Sequence, residues 1–478
     1  MNAQLQTIPQ PLTEPIQPQP QPNISRWSLA LRIAFRFWMV YLGLYCLATE
    51  IVPGLFTVTG GPGATLPDPA TVWPLRPVIF WTAAHIFHVN VSLSFWDGNS
   101  GGADCMFGWV TAFCLLVIAT AATVVWSLLD RSRENYAELH KWFRLFVRFA
   151  LAGRMITYGF AKVIPVQMPY PSLTRLLQPF GTFSPVGVLL NSIGSAPAYE
   201  IFTGCAMVAA GLLLIVPRTA TLGALISLAD MIQVFMLAMT YDVPAKLLAF
   251  HLILLSCFLL APDVPRLARF LLLHRATSLS TEAQLFRGVR ANRIALAAQI
   301  IFGLWLVGVY CQDCWSYWSS RTLPPLYGIW EVRQMSIDEQ LHPPLLTDST
   351  RWRRAIFDYP DRMAFQRTDD SFAPYRVSVN LPDRTLALTK YGNLPGRALA
   401  LTESDDKNWT ANFTFQRPAE DQLILDGRMD NHQVHMELQL TDRNKFLLVS
   451  RGFHWIQEFY CRDPFCELSY TESGQRSR

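Results

Sequence analysis

The sequence predicts a membrane-embedded all-α bundle of about seven transmembrane helices, followed by an antiparallel all-β extracytoplasmic domain. Three observations predict it. The chain of 478 residues is 51% hydrophobic and 16% charged, whereas an average soluble domain carries about 25% charged residues. The deficit is confined to residues 30–310; beyond 320 the composition is that of a soluble domain. From about 352 the continuous apolar runs give way to apolar–polar alternation, the period of strands with one buried face.

Residues 1–25, rich in Pro and Gln, cannot supply a packed core and read as a disordered tail. Arg26, Arg32 and Arg36 then lead into a long apolar stretch, the pattern of an uncleaved signal anchor. About 20 apolar residues, rising about 1.5 Å each, cross a hydrocarbon core of about 30 Å. Seven stretches qualify: 30–51, 106–129, 143–164, 198–216, 219–240, 244–261 and 294–312. Pro197, Pro217, Pro244 and Pro262 stand at their ends. Residues 78–96 are apolar enough for an eighth, but a crossing there would reverse the orientation of everything after it. They read as a re-entrant or interfacial helix.

Orientation follows from the short loops. Arg131, Arg133, Lys141, Arg144, Arg218, Arg266, Arg269, Arg275, Arg287, Arg290 and Arg293 fall in one set, and little beyond Arg76 and Arg175 falls in the other. The positive-inside rule makes the first set cytoplasmic. The expected protein is therefore multi-pass in the cell's inner (cytoplasmic) membrane, with its N-terminus cytoplasmic and its C-terminal domain outside. The divisions are 1–25 tail, 26–141 N-terminal helices with the interfacial segment, 142–262 four-helix core, 263–320 basic cytoplasmic loop and last span, and 321–478 β-rich domain. A net charge of +4 gives no ground for a nucleic-acid partner; the lipid bilayer is the expected one.

In the β domain, YRVSVNL, RTLALTK, RALALTE, NWTANFTFQ and HQVHMELQL alternate, with turns at Pro382-Asp383 and Gly392-Asn393. Seven or eight such strands predict a small barrel or sandwich, with a filled core preferred to a lipocalin-like ligand cavity. KFLLVSRGFHWIQEF is read as the last strand and a closing stretch.

Of nine cysteines, Cys46, Cys114, Cys205 and Cys257 lie within spans and read as small packing residues. Cys461 and Cys466 read as a disulfide clip in an oxidising compartment. Cys311 and Cys314 form a C-x-x-C at the outer membrane boundary, a candidate redox pair. His85 and His88 read as an ordinary interfacial face, and no metal site is expected.

Ionisable groups within spans mark interior sites and want partners. Arg154, Tyr158 and Lys162 follow at i, i+4 and i+8, close to one face; Glu200, Asp230 with Gln233, and Asp242, Lys246 and His251 fall in the next three spans. Matching depths pairs Arg154 with Asp230, and Lys162 with Glu200 and the Asp242/Lys246 pair. Arg154, Tyr158, Lys162, Glu200, Asp230 and Lys246 would then ring an outward-opening pocket for an anionic or quinone-like headgroup, unless they are ion pairs that hold the helices in register.

The stretch RFALAGRMITYGFAKV (Arg148 to Val163), with GLLLIVPRTATLGAL (Gly211 to Leu225) and YDVPAKL (Tyr241 to Leu247), resembles the four-helix membrane core of the DoxX family across 142–262. The pattern is an Arg, then Gly159-x-x-Lys162, then a second span ending at Arg218. The family usually carries a glutamate where this chain has Met207; Glu200 lies two turns earlier on the same face. The extra helices and the β domain look like those of the longer members. The resemblance implies quinone-linked or thiol-linked electron transfer at the outer face, by a membrane oxidoreductase using quinone with a periplasmic redox or envelope protein as partner. The alternative is a non-catalytic scaffold whose β domain binds a partner or lipid. No G-x-G-x-x-G opening a helix, P-loop or C-x-x-C-H occurs, so no covalently bound cofactor is expected.

Overall fold

The structure is a computed structural model and describes residues 26–56, 69–91, 93, 104–274, 285–345, 348, 351–390, 409–452 and 455. The helices are α1 (Leu29–Ala48), α2 (Leu75–His85), α3 (Met106–Leu129), α4 (Ala137–Val163), α5 (Leu173–Leu177), α6 (Pro185–Gly194), α7 (Pro197–Ile215), α8 (Ala220–Thr240), α9 (Lys246–Leu260), α10 (Val264–Leu271) and α11 (Val289–Ser319). Starts and stops follow local chemistry. Ser28 caps α1 by accepting from the Leu31 N–H at 3.2 Å. Pro185 and Pro197 stand in the first turns of α6 and α7, where no donor is lost.

Six helices are long and apolar enough to cross a membrane: α1, α3, α7, α8 with the turn before it, α9 continued through α10 to Phe270, and α11. The remaining predicted span is α4. Its 27 residues are long enough, but Lys141, Arg144, Arg148, Arg154 and Lys162 make it too basic to sit in lipid alone. It lies inside the bundle instead, packed against α1, α7, α9 and α11. Gly159 and Gly204 permit the closest approach. A Cβ at Gly159 would lie 2.8 Å from the Val208 nitrogen, and one at Gly204 would lie 2.7 Å from the Val163 nitrogen. With 11 residues, α2 spans about 16 Å, half of a hydrocarbon core.

The bundle has two chemically distinct ends. At one, Trp27 donates to the Glu134 carbonyl at 3.1 Å, and Asp263 accepts from Thr221 at 3.1 Å with Arg144 3.6 Å away. At the other, Asp104 accepts from the Lys246 and Leu247 N–H groups, both at 2.7 Å, and so caps α9.

The β domain follows α11 as β1 (Gly328–Ile337), β2 (Gln340–Leu341), β3 (Trp352–Tyr359), β4 (Arg362–Arg367), β5 (Phe372–Asn380), β6 (Thr385–Lys390), β7 (Thr410–Gln416), β8 (Gln422–Met429) and β9 (His432–Leu440). Successive strands are antiparallel, and β9 returns to β1 with Trp330 opposite Leu440 and Ile337 opposite Val434. The result is a closed eight-stranded up-and-down barrel, with β2 a two-residue addition to β1. Asp338-Glu339 and Asp430-Asn431 make two-residue turns, with φ of +48° and +68°, and +48° and +69°. Trp330, Phe357, Phe365, Phe413, Leu423 and Met436 fill the interior, each at most 2% exposed.

The barrel begins at 328, earlier than the predicted alternation at 352. A register shift between Val332 and Gln334 breaks the period of two and hides β1 in the sequence. The predicted closing strand is corrected too: residues 443–445 form a tight turn and α12 (Leu447–Ser450) follows. RALALTE, the turn at Gly392-Asn393 and the Cys461/Cys466 clip lie outside the described residues. Bundle and barrel meet at α5, where Asp358 of β3 accepts from the Leu173 and Thr174 N–H groups at 3.1 and 3.3 Å. Leu173, Ile329 and Ile356 close the joint with an apolar cluster.

Candidate functional site

The charges of α4 divide between two places. Arg154, 4% exposed, faces Glu50 just after α1, with Nη1 4.0 Å from Oε2. Tyr158 donates to Glu50 Oε1 at 3.4 Å, and its ring centroid lies 6.0 Å from the guanidinium carbon. The tight turn Pro53–Leu55 covers the group. A Cβ at Gly54 would stand 2.8 Å from Cζ of Arg154, so a larger residue in this turn would push the guanidinium aside. Tyr310 of α11 donates to the Gly54 carbonyl from the other side. Nε and Nη2 of Arg154 are buried without a hydrogen-bond partner.

Arg36 shows what a structural arginine looks like here. It is 2% exposed, and all its nitrogens are engaged. Nε and Nη2 donate to Tyr136 Oη at 2.9 and 2.5 Å, Nη1 to Ser127 at 2.8 Å, and Nη2 also to the Asp130 carbonyl at 2.7 Å. Buried donors are normally satisfied in this way. Arg154 departs from the rule.

Lys162 turns elsewhere. Eight residues of helix leave it about 80° around the axis from Arg154, facing α7 and α8. Its Nζ donates to Met207 Sδ at 3.3 Å, and the acids that act on it are Glu200 and Asp230. This corrects the expected pairing: Arg154 meets Glu50, and Asp230 belongs with Lys162. Lys246 joins neither group. Its ammonium bonds Asp242 at 2.7 Å and lies 3.9 Å from Asp104 at the start of α9.

His251 is a satisfied core residue. Its Nδ1 lies 2.7 Å from the Leu247 carbonyl, which only accepts, so Nδ1 carries the proton and Nε2 accepts from Tyr41 at 2.8 Å. His85 bonds the Trp81 carbonyl at 2.9 Å, and no metal-binding cluster occurs among the described residues.

The seven cysteines among the described residues are free thiols. Cys46 and Cys114 are buried, as packing residues should be, whereas Cys205 and Cys257 are exposed on the outside of the bundle. The helix expected to end at 312 runs on to Ser319, so Cys311 and Cys314 lie within continuous helix. Cys314, buried, sits one turn beyond buried Tyr310 on the same face. Cys314 is thus one turn from the tyrosine that bonds Gly54, and Cys311 directly follows that tyrosine.

Sequence reasoning singled out Arg154, Tyr158, Lys162, Glu200 and Asp230 but not Glu50, Gly54 and Tyr310, which the structure places around Arg154. Glu50 is the one acid between 26 and 56, a signal that its place at a predicted span end masked. Neither a family model, nor a curated protein, nor a solved structure matches the chain.

Proposed function

We propose that this chain is a multi-pass inner-membrane protein that binds a quinone-like or anionic headgroup at Arg154 and links it to the Cys311/Cys314 thiols. The observation that carries the reading is the pair of buried guanidinium nitrogens without acceptors, in a bundle whose other fully buried arginine is saturated. A headgroup carbonyl or anionic oxygen supplies the acceptors that Nε and Nη2 want, with Tyr158 and Glu50 beside it. In the redox form of the reading, the dithiol loses two electrons and two protons to become a disulfide, and a quinone takes up both to become a quinol. Cβ atoms three residues apart on a helix lie about 5–6 Å apart, more than the roughly 3.5–4.5 Å of a disulfide, so the bond forms only if the end of α11 adjusts locally.

The basic loops support a cytoplasmic location for the end that carries Arg131, Arg133 and Arg144, and with it an outer location for the barrel. The Arg154 and Gly159-x-x-Lys162 pattern, with α4 and α7 closely packed, is in keeping with membership of the DoxX family. Membrane extraction in mild detergent, with mass spectrometry of co-purifying lipophilic molecules and an absorbance spectrum, tests the reading. A stoichiometric quinone lost in Arg154→Gln supports it; bulk phospholipid alone, identical in both proteins, overturns it.

The second reading, a scaffold whose β domain holds a partner or lipid, draws on the apolar surface beyond the barrel. Leu447, Leu448 and Trp455 are 62%, 55% and 90% exposed. Trp330, Phe357, Phe365 and Phe413 occupy the barrel interior, which favours a partner on its outside.

A further inference from the structure

Lys162, Glu200 and Asp230 form a group of a different chemical kind. Both acids act on the lysine, and the lysine acts on each acid, yet no direct ion pair joins the three. The lysine's bond to Met207 Sδ is one to a weak acceptor. Glu200 is 0% exposed. Its Oε1 accepts from the Met168 N–H at 3.0 Å, while Oε2 is buried without a partner. Oδ2 of half-buried Asp230 is also buried and unpartnered. Gly204, one turn past Glu200, holds α7 against α4: a Cβ there would lie 2.8 Å from Cβ of Lys162.

Two carboxylates and one ammonium leave one excess negative charge among apolar helices. Ser227, one turn before Asp230 on α8, is buried with its hydroxyl unpartnered and carries no charge; three further polar side chains bear on the group. Arg321, beyond α11, acts on Glu200 but is exposed and stacked on Trp318. Tyr199 of α7 and Gln233 of α8 bond each other at 3.2 Å. None of them neutralises the interior. An uncompensated buried carboxylate takes up a proton or a counter-ion. A metal cation would stand against the lysine ammonium, whereas a proton bonds to one oxygen and removes the excess charge without that repulsion. One oxygen of Glu200 is held by the Met168 N–H, whereas no hydrogen bond holds the buried Oδ2 of Asp230.

We propose that Lys162, Glu200 and Asp230 constitute a proton-binding site within the bundle, with Asp230 carrying the exchangeable proton at neutral pH. The site is independent of the ligand assigned to Arg154, and its readout requires none.

Infrared spectroscopy of the whole protein in detergent at neutral pH tests it, on wild type grown with side-chain-carboxyl ¹³C-aspartate or ¹³C-glutamate. The expected result is a protonated-carboxyl band shifted by labelled aspartate, unmoved by labelled glutamate and missing in Asp230→Asn. Lys162→Gln is expected to strengthen that band roughly two-fold, because Glu200 then also takes a proton. Even if a variant fails to fold, the labelled wild type shows whether an aspartate or a glutamate carries the proton. A band shifted by labelled glutamate, a band abolished by sodium ions, or no protonated-carboxyl band overturns the proposal.

Discussion

The imidazole of His251 lies face to face with the phenol ring of Tyr45, their centroids 3.5 Å apart and their planes within 4° of parallel. Tyr41, one turn earlier on α1, donates to the same imidazole. The first and sixth predicted spans are therefore joined by a polar contact in which every histidine nitrogen is used. Tyr41→Phe leaves Nε2 buried without its donor, which costs about 1–3 kcal/mol. Thermal unfolding in detergent is expected to show a lower midpoint for this variant than for Tyr359→Phe, a change on the barrel surface where the residue is 46% exposed.

A second prediction separates the two buried arginines. Arg36→Ala strips donors from Tyr136, Ser127 and the Asp130 carbonyl together, and is expected to cost about 3–5 kcal/mol. Arg154→Ala removes a group that touches Glu50 only at 4.0 Å, and is expected to cost clearly less, about 1–2 kcal/mol. Unfolding midpoints of the two variants check the order. Equal losses would make Arg154 a structural residue and remove the ground for a headgroup there.

At the joint between bundle and barrel, Asp358 serves as the cap that Ser172 does not provide for α5. Asp358→Ala is expected to cost about 1 kcal/mol and to speed amide exchange at Leu173 and Thr174, with the barrel strands unaffected. Exchange measured by mass spectrometry on the peptide spanning 170–178 reads this directly.

The barrel carries a pH-sensitive pair on its surface. His435 Nδ1 lies 2.5 Å from Asp426 Oδ1, and that hydrogen bond holds the imidazole's pKa above its ordinary value. Because the folded value is the higher one, the pair stabilises the barrel fully below the unfolded value of about 6.5. The contribution disappears as pH climbs through the folded value. With side chains 37% and 44% exposed, it amounts to less than about 1 kcal/mol. His435→Gln should flatten the loss of stability between mildly acidic and mildly alkaline pH; an unchanged slope would assign it to other groups.

Thiol labelling distinguishes the cysteines of α11. Cys311 is half-buried and Cys314 buried, so a maleimide is expected to modify Cys311 several-fold faster in single-cysteine variants. Equal rates would mean that the end of α11 opens away from the bundle.

Much of the architecture was legible because lipid imposes a length and a polarity on each crossing. The apolar runs located α1, α3, α7, α8, α9 and α11 to within a few residues, although Gln312 and Asp313 disguised the continuation of α11 into Trp315 and Trp318. The charges of α4 were legible as interior groups for the same reason, and Arg154 and Lys162 are buried. Their partners were not, because depth along a helix says nothing about rotation around it. Arg154 and Lys162 look close in sequence, but about 80° of rotation sends one to Glu50 and the other to Asp230. Strand β1 was lost to a single irregularity after Val332.

Closure of the barrel also orders its biogenesis. Trp330 pairs with Leu440 more than a hundred residues later, so β1 lacks its second neighbour until nearly the whole domain has left the ribosome. By then every helix from α1 to α11 has been made, and the bundle has to wait for its cap. A chain interrupted anywhere between β3 and β9 keeps its membrane half but exposes two unpaired strand edges, which are templates for aggregation. Translation that stops early therefore yields a hazard to quality control, and not a smaller working protein.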